Sequence, residues 1–249
     1  MKKIIVFDLD GTLALSKDSL DEEMSTLFNN LLQKKNVAII SGGGFPQFEK
    51  QVLKYLSCST NLLEKLIIFP TKGGTMYEFK NGAWQIVYSK IFSNEDKAKV
   101  IKAVETVSNE TDFLSGKCFG ERLEDRGAEF TFSALGQEAP QIEKEKWDRD
   151  YTKRKILEDK LKKLLPEFDV AIGGSTSIDI TQKNINKAFA INQILTRFDY
   201  KKEEILFVGD ALFFGGNDAS VKTTGVETHA VKSVDETKSL IRKIINEHE

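Results

Sequence analysis

No apolar run in this sequence is long enough to cross a bilayer, and no segment repeats or falls into low complexity. A membrane partner is therefore not expected. Met-Lys-Lys stands directly before the first strand-like run, so the expectation is a cytoplasmic protein without a signal peptide. Only two cysteines occur, Cys58 and Cys118, in unrelated contexts and without metal-ligand spacing. That excludes a thiolate metal centre and makes a reduced pair the expectation. Histidine is as scarce: His229 falls inside a short strand-like run and His248 in a charged tail, and neither is placed for catalysis. Neither charge sign is in excess, with 36 Lys and Arg against 38 Asp and Glu. The net charge of -2 argues against nucleic acid held by a globally basic surface, although a local patch fits the same balance.

What is present is a globular composition, 40% hydrophobic over 249 residues, enough for one large domain or two smaller ones. The chain is organised around residues 4–13, I-I-V-F-D-L-D-G-T-L. Four consecutive apolar residues read as a strand buried on both faces, and the strand then delivers Asp8 and Asp10 before a sharp turn at Gly11. Two carboxylates beside a buried strand end repel each other, and they stay ionised only if a cation or hydrogen-bond donors compensate. An ordinary strand-end turn, where Asp and Gly are common, is the alternative.

The following residues alternate between strand and helix. Ser19 and Glu22 have capping-box spacing before a helix carrying Leu20, Met24, Leu27, Phe28, Leu31 and Leu32. Residues 37–40 form a second buried run that ends at Ser41-Gly42-Gly43-Gly44. A helix with Phe48, Val52, Leu53 and Leu56 and a third run at 66–69 follow. This alternation predicts a parallel sheet with helices on its faces, and chemistry gathers at the carboxyl ends of such strands. The pattern changes near residue 83, with a strand at 84–88 and a charged helix opened by Ser93, then resumes at Asn184. A buried run at 205–208 leads into Gly209-Asp210, and a short run at 228–231 follows. The expected fold is α/β: a Rossmann-like parallel-sheet core from residues 1–83 and 184–249, interrupted by a mixed α/β unit at 84–183.

Four motifs in order resemble the haloacid-dehalogenase-like phosphohydrolases and phosphomutases. They are Asp8-Leu9-Asp10-Gly11-Thr12, Ser41 at a strand end, Lys187 near a helix start, and Asp210 with Asn217 and Asp218 in G-D-A-L-F-F-G-G-N-D. An insertion between the second and third motifs matches the type II cap of that family. Within it, the chain resembles the eukaryotic-type phosphomannomutases along nearly its whole length. The long fourth motif carries part of that resemblance, as do Ile172-Gly173-Gly174 with Ser177-Ile178-Asp179 and residues 124–136, E-D-R-G-A-E-F-T-F-S-A-L-G. Two positions depart from it: where the mutases carry phosphate-binding arginines, this chain has Gln137 and Lys144.

A carboxylate attacks a phosphate dianion only when charge is neutralised and the line of attack is fixed. Mg²⁺ does both, and Asp8 and Asp210 are its natural carboxylates. The resemblance adds the backbone carbonyl of Asp10 as a ligand. It also implies that Asp8 forms an aspartyl-phosphate, that Asp10 is the acid and base, and that Ser41 and Lys187 hold the transferring oxygens with Gly42 beside them. Asn217 and Asp218 would orient Lys187 and water at the metal, or would simply form a turn over it.

In the inserted unit, period-2 alternation puts Ser177 and Asp179 on one face, suited to sugar hydroxyls or else exposed to solvent. Arg126 suits a substrate phosphate or carboxylate, or an ion pair with Glu124 or Glu129. Gln137 and Lys144 complete the expected substrate contacts. Three functions remain open at this point: a phosphatase on a sugar phosphate or similar small phosphometabolite, a hexose phosphate mutase, and a non-catalytic phospholigand-binding module. The partner expected is a small phosphorylated substrate, and the chain is expected to be a monomer or homodimer.

Overall fold

The structure is a computed structural model that describes residues 1–246, so His248 lies outside the described residues. The chain divides into two units, residues 1–88 with 186–249 and residues 89–185. The first unit opens with β1 (Ile4–Phe7), α1 (Glu22–Lys34), β2 (Asn36–Ile40), α2 (Phe45–Gln51), α3 (Thr60–Leu63), β3 (Leu66–Phe69), β4 (Thr75–Lys80) and β5 (Ala83–Ser89). The second unit holds α4 (Asn94–Asn109), β6 (Leu123–Asp125), β7 (Glu129–Ser133), α5 (Gln141–Trp147), α6 (Thr152–Leu164), β8 (Phe168–Ile172) and β9 (Ser177–Gln182). The chain then returns to the first unit with α7 (Lys187–Arg197), β10 (Ile205–Gly209), β11 (Glu227–Ala230) and α8 (Val234–Asn246).

The first unit is built on a seven-stranded sheet in the order β11-β10-β1-β2-β3-β4-β5. Strands β11, β10, β1, β2 and β3 pair in parallel, and β3 pairs with β4 antiparallel. Successive side chains of β1 go to opposite faces. Ile5 and Phe7 join α1 and α8 in one buried cluster, while Ile4 and Val6 join Ala190, Ile191 and Ile194 of α7 in another. Burial on both faces is why these strands read as unbroken apolar runs. Phe7 pairs with Ile39 of β2 on one side and Val208 of β10 on the other. The chain runs outward from β1 in both directions, so the end of β1 is the topological switch point where an open α/β sheet forms its crevice.

The second unit has a four-stranded sheet in the order β6-β7-β9-β8, antiparallel throughout. Phe130, Phe132, Ile178 and Ile180 pack against Val100, Val104, Leu157 and Leu161 of α4 and α6. The opposite face is polar: Thr131 pairs with Asp179, and Ser133 with Ser177.

Three local expectations change. The strand at 84–88, expected in the inserted unit, is β5 and pairs at the edge of the seven-stranded sheet. An Asn81-Gly82 turn with φ of 54° and 79° folds it back on β4, and Trp84 packs edge-on against Phe45 and Phe79. The cap of α1 is Asp21, which accepts from Met24 N at 2.7 Å, so the Ser19–Glu22 box does not form. The helix expected through Leu56 ends at Gln51, because Val52 leaves helical geometry at φ -120° and ψ -64°.

The turn after β3 carries strain. Thr71 and Lys72 have φ of 51° and 56°, and Gly73 has φ of 98°. A Cβ on Gly73 would stand 2.7 Å from the Cβ of Ala190 in α7. Gly73→Ala is expected to destabilise the protein by about 1–3 kcal/mol or more, read as a lowered urea midpoint at unchanged slope. An unchanged midpoint would show that the turn relaxes freely.

Candidate active site

Strand ends at the switch point carry the acids, and one helix start carries the cation. Asp8 follows β1 and is 3% exposed, with its backbone N donating to Val208 O at 2.9 Å. Lys187 is the first residue of α7, whose cap Asn186 accepts from Phe189 N at 3.2 Å. A lysine in a first helical turn opposes the helix dipole. Here it is held by acids: Lys187 Nζ donates to Asp8 Oδ1 and, at 2.5 Å, to Asp218 Oδ1. Lys187 is 1% exposed and Asp218 0%. Ala211 N donates to the other oxygen of Asp218 at 3.0 Å, and Thr12 Oγ1 reaches Asp8 Oδ2 at 3.4 Å.

Asp210 completes the group. Carboxylate oxygens of Asp8, Asp210 and Asp218 all lie within 4.8 Å of one another. Gly11 makes room for this, since at its φ of 87° a Cβ would lie 2.5 Å from Asp210 Oδ2. Burial raises the Asp8 carboxyl to about 7; Lys187 pulls against that, while the charges of Asp218 and Asp210 add to it. Burial also raises Asp210, and the charge of Asp218 adds to the effect. Burial works to neutralise the Lys187 ammonium, but the charges of Asp8 and Asp218 outweigh it and hold its pKa above the lysine range.

The carboxylate of Asp10 is not in this cluster. It accepts from Lys17 N at 2.7 Å, Gln47 Nε2 at 3.1 Å and Gln51 Nε2 at 3.4 Å. Gln47 and Gln51 lie one turn apart on α2, just after the Ser41 loop, and sequence reasoning passed over both. Their i,i+4 spacing was the available signal. Ser41 is 3% exposed, with its hydroxyl accepting from Gly43 N at 3.3 Å; Gly42 follows it in the same loop. Lys72 N donates to Ser41 O at 2.8 Å, which places the strained Thr71–Lys72 turn beside it. The Thr71 hydroxyl is buried and has no hydrogen-bond partner. Asn217 is exposed and makes no side-chain hydrogen bond among the described residues, so the orienting contact to Lys187 comes from Asp218.

In the second unit, Arg126 donates to Glu124 at 2.7 Å and to the fully buried Glu129 at 3.3 Å. Asp179 accepts from Thr131 Oγ1 at 3.3 Å, and Ser177 Oγ accepts from Gly174 N at 2.8 Å. The Gln137 amide donates to two backbone carbonyls, Thr131 at 3.0 Å and Arg122 at 3.1 Å, and Lys144 Nζ reaches Gln137 O at 3.4 Å. Gln137 thus ties the chain to β7.

Three carboxylates and no nitrogen or sulfur donor form a set that suits a hard divalent cation such as Mg²⁺. Lys187 is bonded to Asp8 and Asp218, while Asp210 forms no ion pair among the described residues. The residues present fit the metal through Asp8 and Asp210, with Asp218 as a third acid in reach.

The sequence profile of the haloacid dehalogenase-like hydrolases matches residues 5–220. A probable phosphomannomutase of Caenorhabditis elegans is 24% identical over 256 residues, covering 99% of this chain and 96% of that protein. The phosphomannomutase of Spinacia oleracea is 26% identical over 245 residues, covering 94% and 92%. Among solved structures, IMP-bound, N-terminally truncated Plasmodium falciparum IMP-nucleotidase superposes with a TM-score of 0.75 at 14% identity, over 98% of this chain and 68% of that one. A haloacid dehalogenase-like hydrolase from Bacteroides thetaiotaomicron superposes at 0.66 and 17% identity, over 98% and 100%. At these identities the structural likeness is one of fold.

A carboxyl whose pKa is raised by folding adds stability only while it is protonated. The metal-free protein therefore loses stability as pH rises from the ordinary carboxylate range toward about 7, the value for Asp8. A cation at the cluster competes with that proton. The Mg²⁺-dependent rise in Tm is accordingly expected to be larger at about pH 8 than at about pH 5.5. An equal shift at both, or none at the higher pH, would contradict the site.

Proposed function

The chain belongs to the haloacid dehalogenase-like hydrolases, and from that premise we propose that it is a Mg²⁺-dependent phosphatase acting on a sugar phosphate or similar small phosphometabolite through an aspartyl-phosphate on Asp8. The observation that carries this reading is the buried ammonium of Lys187 joined to Asp8 and Asp218 at the sheet's switch point.

Asp8 Oδ attacks phosphorus as the bond to the ester oxygen breaks, and Asp10 gives that oxygen a proton. Water then attacks the same phosphorus and passes a proton to Asp10, freeing phosphate and restoring the Asp8 carboxylate. Ser41 and Lys187 hold the transferring oxygens, with Gly42 alongside, and the amides of Gln47 and Gln51 position Asp10. Asp8, Asp210 and the Asp10 carbonyl would hold Mg²⁺, which when bound offsets the charge that gathers between carboxylate and phosphate. The second unit takes the choice of substrate, with Arg126, Ser177 and Asp179 as its candidate contacts.

A mutase is the second reading, favoured by the phosphomannomutases that match nearly the whole chain. A mutase must also grip the phosphate that is not reacting. Gln137 is neutral, and its amide hydrogens are engaged by Arg122 O and Thr131 O, which favours phosphate release.

Hexose and other sugar phosphates assayed with Mg²⁺ for both free phosphate and isomerised product are expected to give free phosphate in excess. Isomerised product without phosphate release would establish the mutase instead. Asp8→Asn is expected to lower turnover by at least about a thousandfold while near-UV circular dichroism stays native. Activity within about tenfold of wild type would move the nucleophile elsewhere.

A further inference from the structure

A cavity of about 350 Å³ lies among residues of the second unit alone, between the segment that follows α4 and the segment joining α5 to α6. Its wall combines three aromatic rings, Phe113, Phe119 and Trp147, with three cations, Lys117, Arg122 and Lys153; Glu143 is its one acid. None of these residues has a functional role in the sequence reading, and none enters the phosphoryl-transfer chemistry.

The cations are held by groups that leave their charge uncompensated. Lys117 Nζ stands 4.6 Å over the Phe119 ring centroid, and Lys153 Nζ stands 5.1 Å over that of Trp147. Lys153 Nζ also donates to Trp147 O at 2.8 Å. Arg122 is fixed by backbone carbonyls, with Nε donating to Ala134 O at 3.2 Å and a terminal nitrogen to Leu114 O. Among the described residues, none of the three is paired with a carboxylate. Phe113 and Trp147 meet edge-on at 6.0 Å and 64°, so the wall offers an angled pair of apolar rings beside those charges.

Three cations against one acid call for an anion, and aromatic walls call for a ring. The volume is at the lower end for small-molecule clefts, with room for one ring-bearing ligand. We propose that this cavity is a binding site for an aromatic ring bearing a phosphate, a mononucleotide in chemical class, separate from the carboxylate site of the first unit. Ring and phosphate would each be recognised, the ring by Phe113 and Trp147 and the phosphate by Lys117, Lys153 and the remaining N–H groups of Arg122.

The test is calorimetric titration of the full-length protein with 5′-AMP in EDTA, where the uncompensated carboxylates of the first unit repel phosphate. Saturable one-to-one binding is expected. Adenosine and ribose 5-phosphate should each bind about tenfold more weakly, and Lys117→Ala should weaken AMP by a similar factor, about 1.4 kcal/mol. Lys117 is exposed, so its truncation leaves the fold intact; Trp147→Leu supplies a second variant that removes ring contact and should also weaken AMP. No saturable binding, an affinity unchanged by loss of either the ring or the phosphate, or full affinity in both variants would overturn the proposal.

Discussion

The structure depends on a lysine ammonium held out of water by acids. Lys187 is 1% exposed at the start of a helix, a place that disfavours positive charge twice, through burial and through the helix dipole. It remains charged because Asp8 and Asp218 are hydrogen-bonded to it. Those acids are themselves buried, and the cluster of three carboxylates exceeds what one ammonium can neutralise. On the proposed reading, that residual negative charge is what a divalent cation would offset before a phosphate enters. Binding site and destabilising feature are thus the same set of atoms.

The sheet makes this arrangement possible. Parallel strands buried on both faces bring several chain ends to one rim, and the reversal of strand order at β1 opens a crevice there. Asp8 and Asp210 follow neighbouring strands, β1 and β10, and the close approach of Asp210 to the backbone requires that residue 11 have no side chain. Strain in the Thr71–Lys72 turn sits on the same rim beside Ser41, where positions held off their preferred geometry are often functional.

Much of this was legible beforehand, for identifiable reasons. Four-residue apolar runs ending in Asp, Ser or Gly-Asp announce buried strands that carry polar groups at their ends. Lys187 was expected near a helix start, and it opens α7 directly after the Asn186 cap. Side-chain reach is less legible. Asn217 and Asp218 were both expected to orient Lys187 or to form a turn; Asp218 bonds Lys187 directly, while neighbouring Asn217 is exposed. The amides that hold Asp10 lie about forty residues away in sequence, and only the placement of α2 reveals them. Gln137 read as a missing phosphate ligand, whereas its amide closes the chain onto β7 and onto Arg122. The strand at 83–89 was assigned across a boundary that composition marks only loosely, because edge strands carry mixed polarity whichever sheet they join.

The account turns on Asp8 as the atom that receives the phosphoryl group. Its most direct test is to mix enzyme, Mg²⁺ and a turned-over sugar phosphate, quench within a single turnover, reduce with borohydride and sequence the peptides. An acyl phosphate is reduced to homoserine, so the account predicts homoserine at position 8 and at no other aspartate. Homoserine at another position, or phosphate released with no homoserine at any quench time, would contradict it.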